Sequence, residues 1–210
     1  MTDDIIFYTN PMSRGQIARW MLEEVGASYE THILAYGDTG MKSAAYLALN
    51  PMGKVPAIVH RGKVVTECAA ICAYLADAFP AAGLAPTPDE RADYYRWMFF
   101  AAGPVEAAVS NKAAGFEVLP ERERMFGYGN YGRTVEVLAQ VVTGRDYVCG
   151  DRFTAADVYL GSQVIWGVQF GTLPANPAFE AYAARLEARD AYKRAKAIDN
   201  ALIAEMQATA

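Results

Sequence analysis

The chain has 210 residues, of which 53% are apolar and 20% charged, and it carries a formal charge of −5. That length and apolar share suit a compact protein with a full core of one or two domains, and they exclude a disordered polypeptide. Mild acidity without any run of lysine or arginine excludes the electrostatic footprint of a nucleic-acid or anionic-membrane binder.

Charges or proline interrupt every apolar stretch well before the roughly 20 residues that a membrane-spanning helix needs. The acidic start Met1-Thr2-Asp3-Asp4 lacks the basic opening and long apolar run of a secretory signal, so a cytoplasmic location is expected. Cys68, Cys72 and Cys149 are odd in number and form no CxxC pair, so no disulfide framework is expected. Cys68 and Cys72 stand at i and i+4 of one expected helix, an awkward span for a disulfide and too few ligands for zinc. With His32 and His60 as the sole histidines, neither a His-based triad nor a histidine metal site can be assembled, and no metal is expected. Both histidines are read as strand-end or surface residues.

Asp4 to Thr9 is a short apolar run that reads as a buried strand, broken by Asn10-Pro11. Ser13 followed three residues later by Gln16 is a capping-box pattern, so a helix is expected from there to about Val25, with Gly26 ending it. Ser28 to Leu34 alternates as a second strand, and Met41 to Leu49 reads as a short helix before Asn50-Pro51. Pro56 to His60 forms a third strand, Arg61-Gly62 a two-residue turn, and Lys63 to Val65 a fourth strand. The following helix, to Phe79, buries Ile71, Tyr74, Leu75 and Ala78 at i, i+3, i+4 and i+7. Its first turn aims backbone N–H groups beyond Thr66, a setting that favours an anionic ligand. This element order is that of a thioredoxin-like α/β domain, over residues 1–79.

Residues 80–88 are rich in proline, lack periodicity and read as a linker; residues 89–210 read as an all-helical C-terminal domain. Asp89 to Gly115 and Glu121 to Gly144 are two long amphipathic stretches, the first carrying Tyr94, Tyr95, Trp97, Phe99 and Phe100. Thr154-Ala155-Ala156-Asp157 signals a capping box ahead of an apolar helix running to about Phe170, with Phe153 placed for a hydrophobic staple. Asn176-Pro177-Ala178-Phe179 starts another helix.

The run Asn50-Pro51-Met52-Gly53-Lys54-Val55-Pro56-Ala57-Ile58, the hairpin after it, and the pattern TExxAIxxYLAxxFP from Thr66 to Pro80 resemble the glutathione-binding half of the cytosolic glutathione S-transferase superfamily. The Thr-x-x-Asp box behind Gly150-Asp151-Arg152-Phe153 and the helices through AYAARLEARDAYKRA resemble its C-terminal half. The resemblance therefore covers nearly the whole chain, and is strongest in residues 50–80 and 150–196. It implies a thioredoxin-like α/β domain followed by an all-α helical bundle, a cytoplasmic homodimer, and glutathione as co-substrate. By the same resemblance Pro56 is a cis-proline, and the backbone of Val55 pairs with the cysteinyl part of glutathione. Glu67 takes the γ-glutamyl ammonium, while the helix N-terminus at Cys68 takes the carboxylate. Lys54 faces the glycyl carboxylate, and Lys42 joins the glutathione-binding set. Asp157 serves folding and not chemistry.

Cys68 departs from the family pattern, which has serine there. A thiol is the weaker hydrogen-bond donor, so weaker glutathione binding is expected; a small, buried apolar role for Cys68 stands beside that reading.

Transferase chemistry needs the glutathione thiol ionised near neutral pH, although a free thiol has a pKa of about 8.5. The activating group lies between Tyr8 and Gly15. Ser13 or the Asn10 side-chain amide is the expected donor to the sulfur, Ser13 ahead of Asn10, then Thr9 and Tyr8; Ser13 is also the expected helix cap. No cysteine occupies this stretch, which argues against forming a mixed disulfide with glutathione. Met12 and the aromatic helix, through Phe100, Pro104, Val105 and Phe116, are expected to line an apolar pocket for a small hydrophobic electrophile. The resulting reading is a detoxifying glutathione transferase. A glutathione-dependent peroxidase or disulfide reductase, and a non-catalytic glutathione-binding or protein-interaction member of the same fold, are the alternatives.

Overall fold

The computed structural model describes residues 5–208, so the acidic start through Asp4 lies outside the described residues. By their contacts the residues form two compact units: one runs to Leu84 and takes back the chain from Arg189 onward, and the other comprises Ala85–Ala188.

The first unit opens with β1 (Ile5–Thr9), whose alternation buries Ile5, Phe7 and Thr9 on one face. After it come α1 (Gly15–Val25), β2 (Tyr29–Ile33), α2 (Ala44–Leu49), β3 (Ala57–His60), β4 (Lys63–Thr66) and α3 (Cys68–Ala78). The strands form one sheet in the order β2-β1-β3-β4. β1 runs parallel to β2 and antiparallel to β3, and β3 and β4 form a hairpin. Arg61 and Gly62 sit at φ 51° and 73°, as a two-residue turn with positive φ at both centres demands. This is the thioredoxin-like arrangement of the first domain.

One local expectation is corrected and another is refined. The Ser13–Gln16 capping box does not form, because the Gln16 amide turns away to the carbonyl of Pro11 at 2.6 Å. The helix begins instead at Gly15, whose N–H donates to Ser13 Oγ at 3.0 Å. Only glycine fits at that position, since a Cβ there would lie 1.9 Å from Thr9 Oγ1. His60 is at a strand end but is fully buried, hydrogen-bonded to Tyr74 Oη at 2.9 Å and stacked on Phe79.

The last helix, α9 (Asp190–Ala208), packs on α1, with the Tyr192 ring edge-on to Trp20. Arg19 and Asp199, each 1% exposed at the side chain, form an ion pair of 2.8 Å. The Arg19 guanidinium also lies over the ring of Phe7, 5.1 Å from its centroid, and reaches Tyr29 Oη at 3.2 Å. Burial and the bond to Glu23 push the Tyr29 hydroxyl up to about 12. Further along, Arg189 grips Glu24 with two bonds of 2.6 and 2.8 Å. Burying such a pair costs desolvation, and removing one partner leaves an uncompensated charge, so the pairing specifies where α9 sits.

In the second unit, the long amphipathic stretch expected over Asp89–Gly115 is helical with one irregularity. α4 (Arg91–Phe100) and α5 (Glu106–Ala113) are joined by a wider π turn at Ala101–Val105, where Pro104 removes a backbone donor. The second expected stretch starts with a 3-10 turn at Pro120–Met125, and its helix, α6, spans Tyr131–Val142 with Asn130 Oδ1 accepting the N–H of Arg133. α7 (Ala155–Gln169) and α8 (Pro177–Glu187) complete the unit and pack together. The Thr154 capping box forms as expected. The Asp157 carboxylate, fully buried, accepts the N–H groups of Val148 and Thr154 at 2.8 and 2.9 Å and the hydroxyl of Tyr182 at 2.8 Å.

Candidate functional site

Three chain segments meet at one end of the sheet. The register pairs Tyr8 with Ala57 and Ala57 with Thr66, so the next residues outward are Thr9-Asn10 after β1, Pro56 before β3, and Glu67 after β4. This end carries the N-termini of both α1 and α3.

The approach to β3 is built rigidly. Asn50 is buried; its amide donates to the carbonyl of Lys54 at 2.8 Å while its Oδ1 accepts the N–H of Met52 at 3.1 Å. Tyr46 Oη donates to the same carbonyl at 2.6 Å, and burial raises its pKa, which keeps it a donor. Val55 is half-buried against Met41, Tyr46 and Ala57, and the Val55–Pro56 bond is cis. The side chain of Lys54 is exposed. Lys42 donates to the carbonyl of Met52 at 3.0 Å, which closes the loop from the other side.

Glu67 is the conformational outlier. It is exposed and held at φ 66°, ψ 121°, a region that non-glycine residues avoid at a strain of about 1–3 kcal/mol. The Glu67 side chain makes no capping hydrogen bond to α3. Cys68, the first residue of α3, is 8% exposed, and its thiol points at the carbonyl of Arg14 at 3.5 Å. The Cys68 thiol therefore packs inward, and it fastens the start of α3 to the start of α1.

In the α1 loop, Asn10 is 1% exposed and its amide is committed on both sides. Nδ2 donates to Leu34 O at 2.9 Å, and Oδ1 accepts the N–H of Met12 at 2.9 Å. Ser13 is half-buried, and its hydroxyl donates to the carbonyl of Asn10 at 2.7 Å, so donation to any other atom requires that bond to break. Thr9 is fully buried and Tyr8 half-buried, with the Tyr8 ring between those of His32 and Tyr46. Met12 is 52% exposed.

The structure thus brings Asn10, Ser13, Val55, Pro56, Glu67 and Cys68 to one end of the first unit. Phe100, Pro104, Val105 and Phe116 lie in the second unit. There Phe100 stands edge-on to Trp97, Pro104 sits in the π turn, and Val105 is buried in the helical core. Phe116, 47% exposed, lines a cavity of about 210 Å³ with Lys112, Tyr128 and Tyr131. Sequence reasoning missed Tyr46 and Asn50 as braces of the Lys54 carbonyl. For Asn50 a signal existed, since asparagine beside proline marks a side-chain-to-backbone turn. Among the described residues no group of three or more His, Cys, Asp or Glu side chains could hold a metal ion, and no helix is long and apolar enough to cross a membrane.

A family model for the N-terminal domain of glutathione S-transferases matches residues 12–78. A glutathione S-transferase of Xanthomonas campestris pv. campestris is 33% identical over 66% of this chain and 74% of its own length. The chain belongs to the glutathione S-transferase superfamily. Glutathione S-transferase 1 of Schizosaccharomyces pombe is 29% identical over 65% of this chain, and the match spans 64% of that relative's length. Among solved structures, the theta class glutathione S-transferase of Xanthomonas axonopodis pv. citri, crystallised with glutathione bound, superimposes with a TM-score of 0.72 at 28% identity. That likeness covers 92% of this chain and 97% of the other, so the superfamily fold extends over both units.

Proposed function

We propose that this chain is a glutathione transferase whose co-substrate lies across the sheet end formed by Val55, Glu67 and the α1 loop. The observation that carries the reading is Glu67. A carboxylate is held exposed in a strained backbone conformation at the start of a helix to which its own side chain makes no capping hydrogen bond, beside a cis-proline turn preceded by the Lys54 carbonyl that Tyr46 and Asn50 brace. Strain of this kind persists where the surroundings over-determine it, which is typical of ligand clamps.

In this reading Glu67 holds the γ-glutamyl ammonium, and the first N–H groups of α3 hold its carboxylate. The backbone of Val55 pairs with the cysteinyl unit as a strand would. Lys54, with its exposed ammonium, takes the glycyl carboxylate, and Lys42 supports it by closing the 50–54 loop. Ser13 leaves the Asn10 carbonyl to donate to the sulfur, and Asn10 holds the loop that carries it. The thiolate sulfur attacks an electrophilic carbon, forming the C–S bond while the leaving group departs with its electron pair. The electrophile is small and hydrophobic, as encountered in detoxification. Met12, exposed beside the α1 loop, is the residue of the first unit proposed to select it. A cytoplasmic homodimer completes the proposal, and exposed Tyr95 and Phe99 on α4 offer apolar surface for a second copy.

The test is a pH titration of thiolate absorbance in the glutathione complex, run beside turnover of chlorodinitrobenzene. A bound thiol ionising well below about 8.5 together with turnover supports the transferase. An unshifted bound thiol without turnover points to a glutathione-binding protein that does no chemistry, the reading favoured if Ser13 never leaves Asn10.

A further inference from the structure

We infer that Gln16 is a positioning residue for the thiol-activating loop, and that the C-terminal helix sets it through Lys196. This inference rests on the glutathione reading of the site and adds a component from the far end of the chain.

Gln16 stands in the first turn of α1 and is half-buried. Its Nε2 donates to the carbonyl of Pro11 at 2.6 Å, and its Oε1 accepts from Lys196 Nζ at 2.8 Å. A lysine ammonium has donors only, so it can bind only the oxygen end of the amide. Lys196 therefore decides which way the Gln16 amide faces, and the NH₂ end is turned onto Pro11. Pro11 lies between Asn10 and Met12, within the loop that carries Ser13.

The loop is then tied on both flanks. Asn10 anchors one side to Leu34 at 2.9 Å, and Gln16 anchors the other through Pro11. Lys196 is itself held, because α9 is fixed one turn away by the buried Arg19–Asp199 pair and at its start by Arg189 on Glu24. The last helix is thereby coupled to the loop that carries Ser13 through two consecutive polar contacts, Lys196 to Gln16 and Gln16 to Pro11.

The full chain bearing Gln16→Glu separates positioning from simple support. A carboxylate still accepts from Lys196, but it cannot donate to Pro11 and faces that carbonyl with a like partial charge. Lys196→Met removes the group that orients the amide. Arg194→Ala serves as the control, since it breaks an outer contact of α9 with Glu23 and leaves the relay whole. The readouts are the pH midpoint of the bound glutathione thiolate by absorbance, kcat and KM for glutathione, and the melting temperature.

Gln16→Glu is expected to raise the thiolate midpoint by about half a pH unit and to lower kcat about threefold or more, with KM for glutathione changed less than about twofold. Lys196→Met moves the midpoint the same way by a smaller amount, and Arg194→Ala leaves it in place. Gln16→Glu that lowers only the melting temperature, with a wild-type midpoint and kcat, overturns the proposal. A wild-type complex whose thiol is itself unshifted overturns the glutathione reading first, and the positioning role with it.

Discussion

Two helix starts in this chain are built in opposite ways. At α7, Thr154 and Asp157 close a complete capping box, and the buried carboxylate accepts backbone and hydroxyl donors from three other residues. At α3, the cap residue Glu67 is strained and exposed, and its side chain makes no capping hydrogen bond. A saturated, buried helix start stabilises the fold, whereas a strained and exposed one keeps its binding capacity for something outside the chain.

Removing the saturated cap has the largest expected effect. Asp157→Ala strands the N–H groups of Val148 and Thr154 and the hydroxyl of Tyr182 in a buried setting, so stability should fall by about 3–5 kcal/mol by chemical denaturation. The folded fraction should still bind glutathione with wild-type affinity, because the carboxylate belongs to the second unit.

Glu67→Gly should do the reverse. Glycine adopts φ 66° freely, so stability should rise by about 1 kcal/mol, the relief of strain exceeding the added freedom of the unfolded chain. Glutathione affinity should fall about tenfold or more in calorimetric titration, because a charge-assisted contact is lost. A stabilised variant that binds normally would break the contrast between the two helix starts.

Cys68→Ser is a smaller change. The hydroxyl is a stronger donor than the thiol, but the Cys68 side chain is buried and turned toward Arg14 O. Glutathione affinity should therefore change less than about threefold, with the main effect a loss of about 1 kcal/mol from burying a more polar group.

The smallest effect concerns Cys149, beside the saturated cap and hydrogen-bonded by Thr154 Oγ1 at 3.6 Å. Burial pushes its thiol up to about 11 from an ordinary 9.0. The folded state then holds the proton to higher pH than the unfolded chain does, so the contribution to stability is full below 9.0 and declines as pH rises toward about 11. Alkylation of Cys149 by iodoacetamide should be slow at neutral pH and accelerate only through that alkaline range.

Much of this was legible in the sequence where the signal is local. Arg61-Gly62 announced the hairpin, Thr154 to Asp157 the cap of α7, and the stretch from Asn50 to Phe79 the order of loop, hairpin and helix. What escaped involves partners far apart in the chain. Ser13 and Gln16 match a capping box, yet Lys196 and Pro11 compete successfully for the Gln16 amide. Arg19 carries no local sign of its buried partner, because Asp199 stands far along the chain. His60 carries no mark of burial in its neighbours; Tyr74 and Phe79 close over it only once α3 folds back on the sheet. The strain at Glu67 cannot be read from residue type at all, since it arises from how β4 is forced to turn into α3.

The most direct test of the account is calorimetric titration of glutathione into the wild type and into Glu67→Ala at neutral pH. The account predicts saturable one-site binding by the wild type and a loss of about tenfold or more in the variant, with its fold intact by circular dichroism. Equal affinity for the two proteins would contradict the assignment of the strained carboxylate to the ligand.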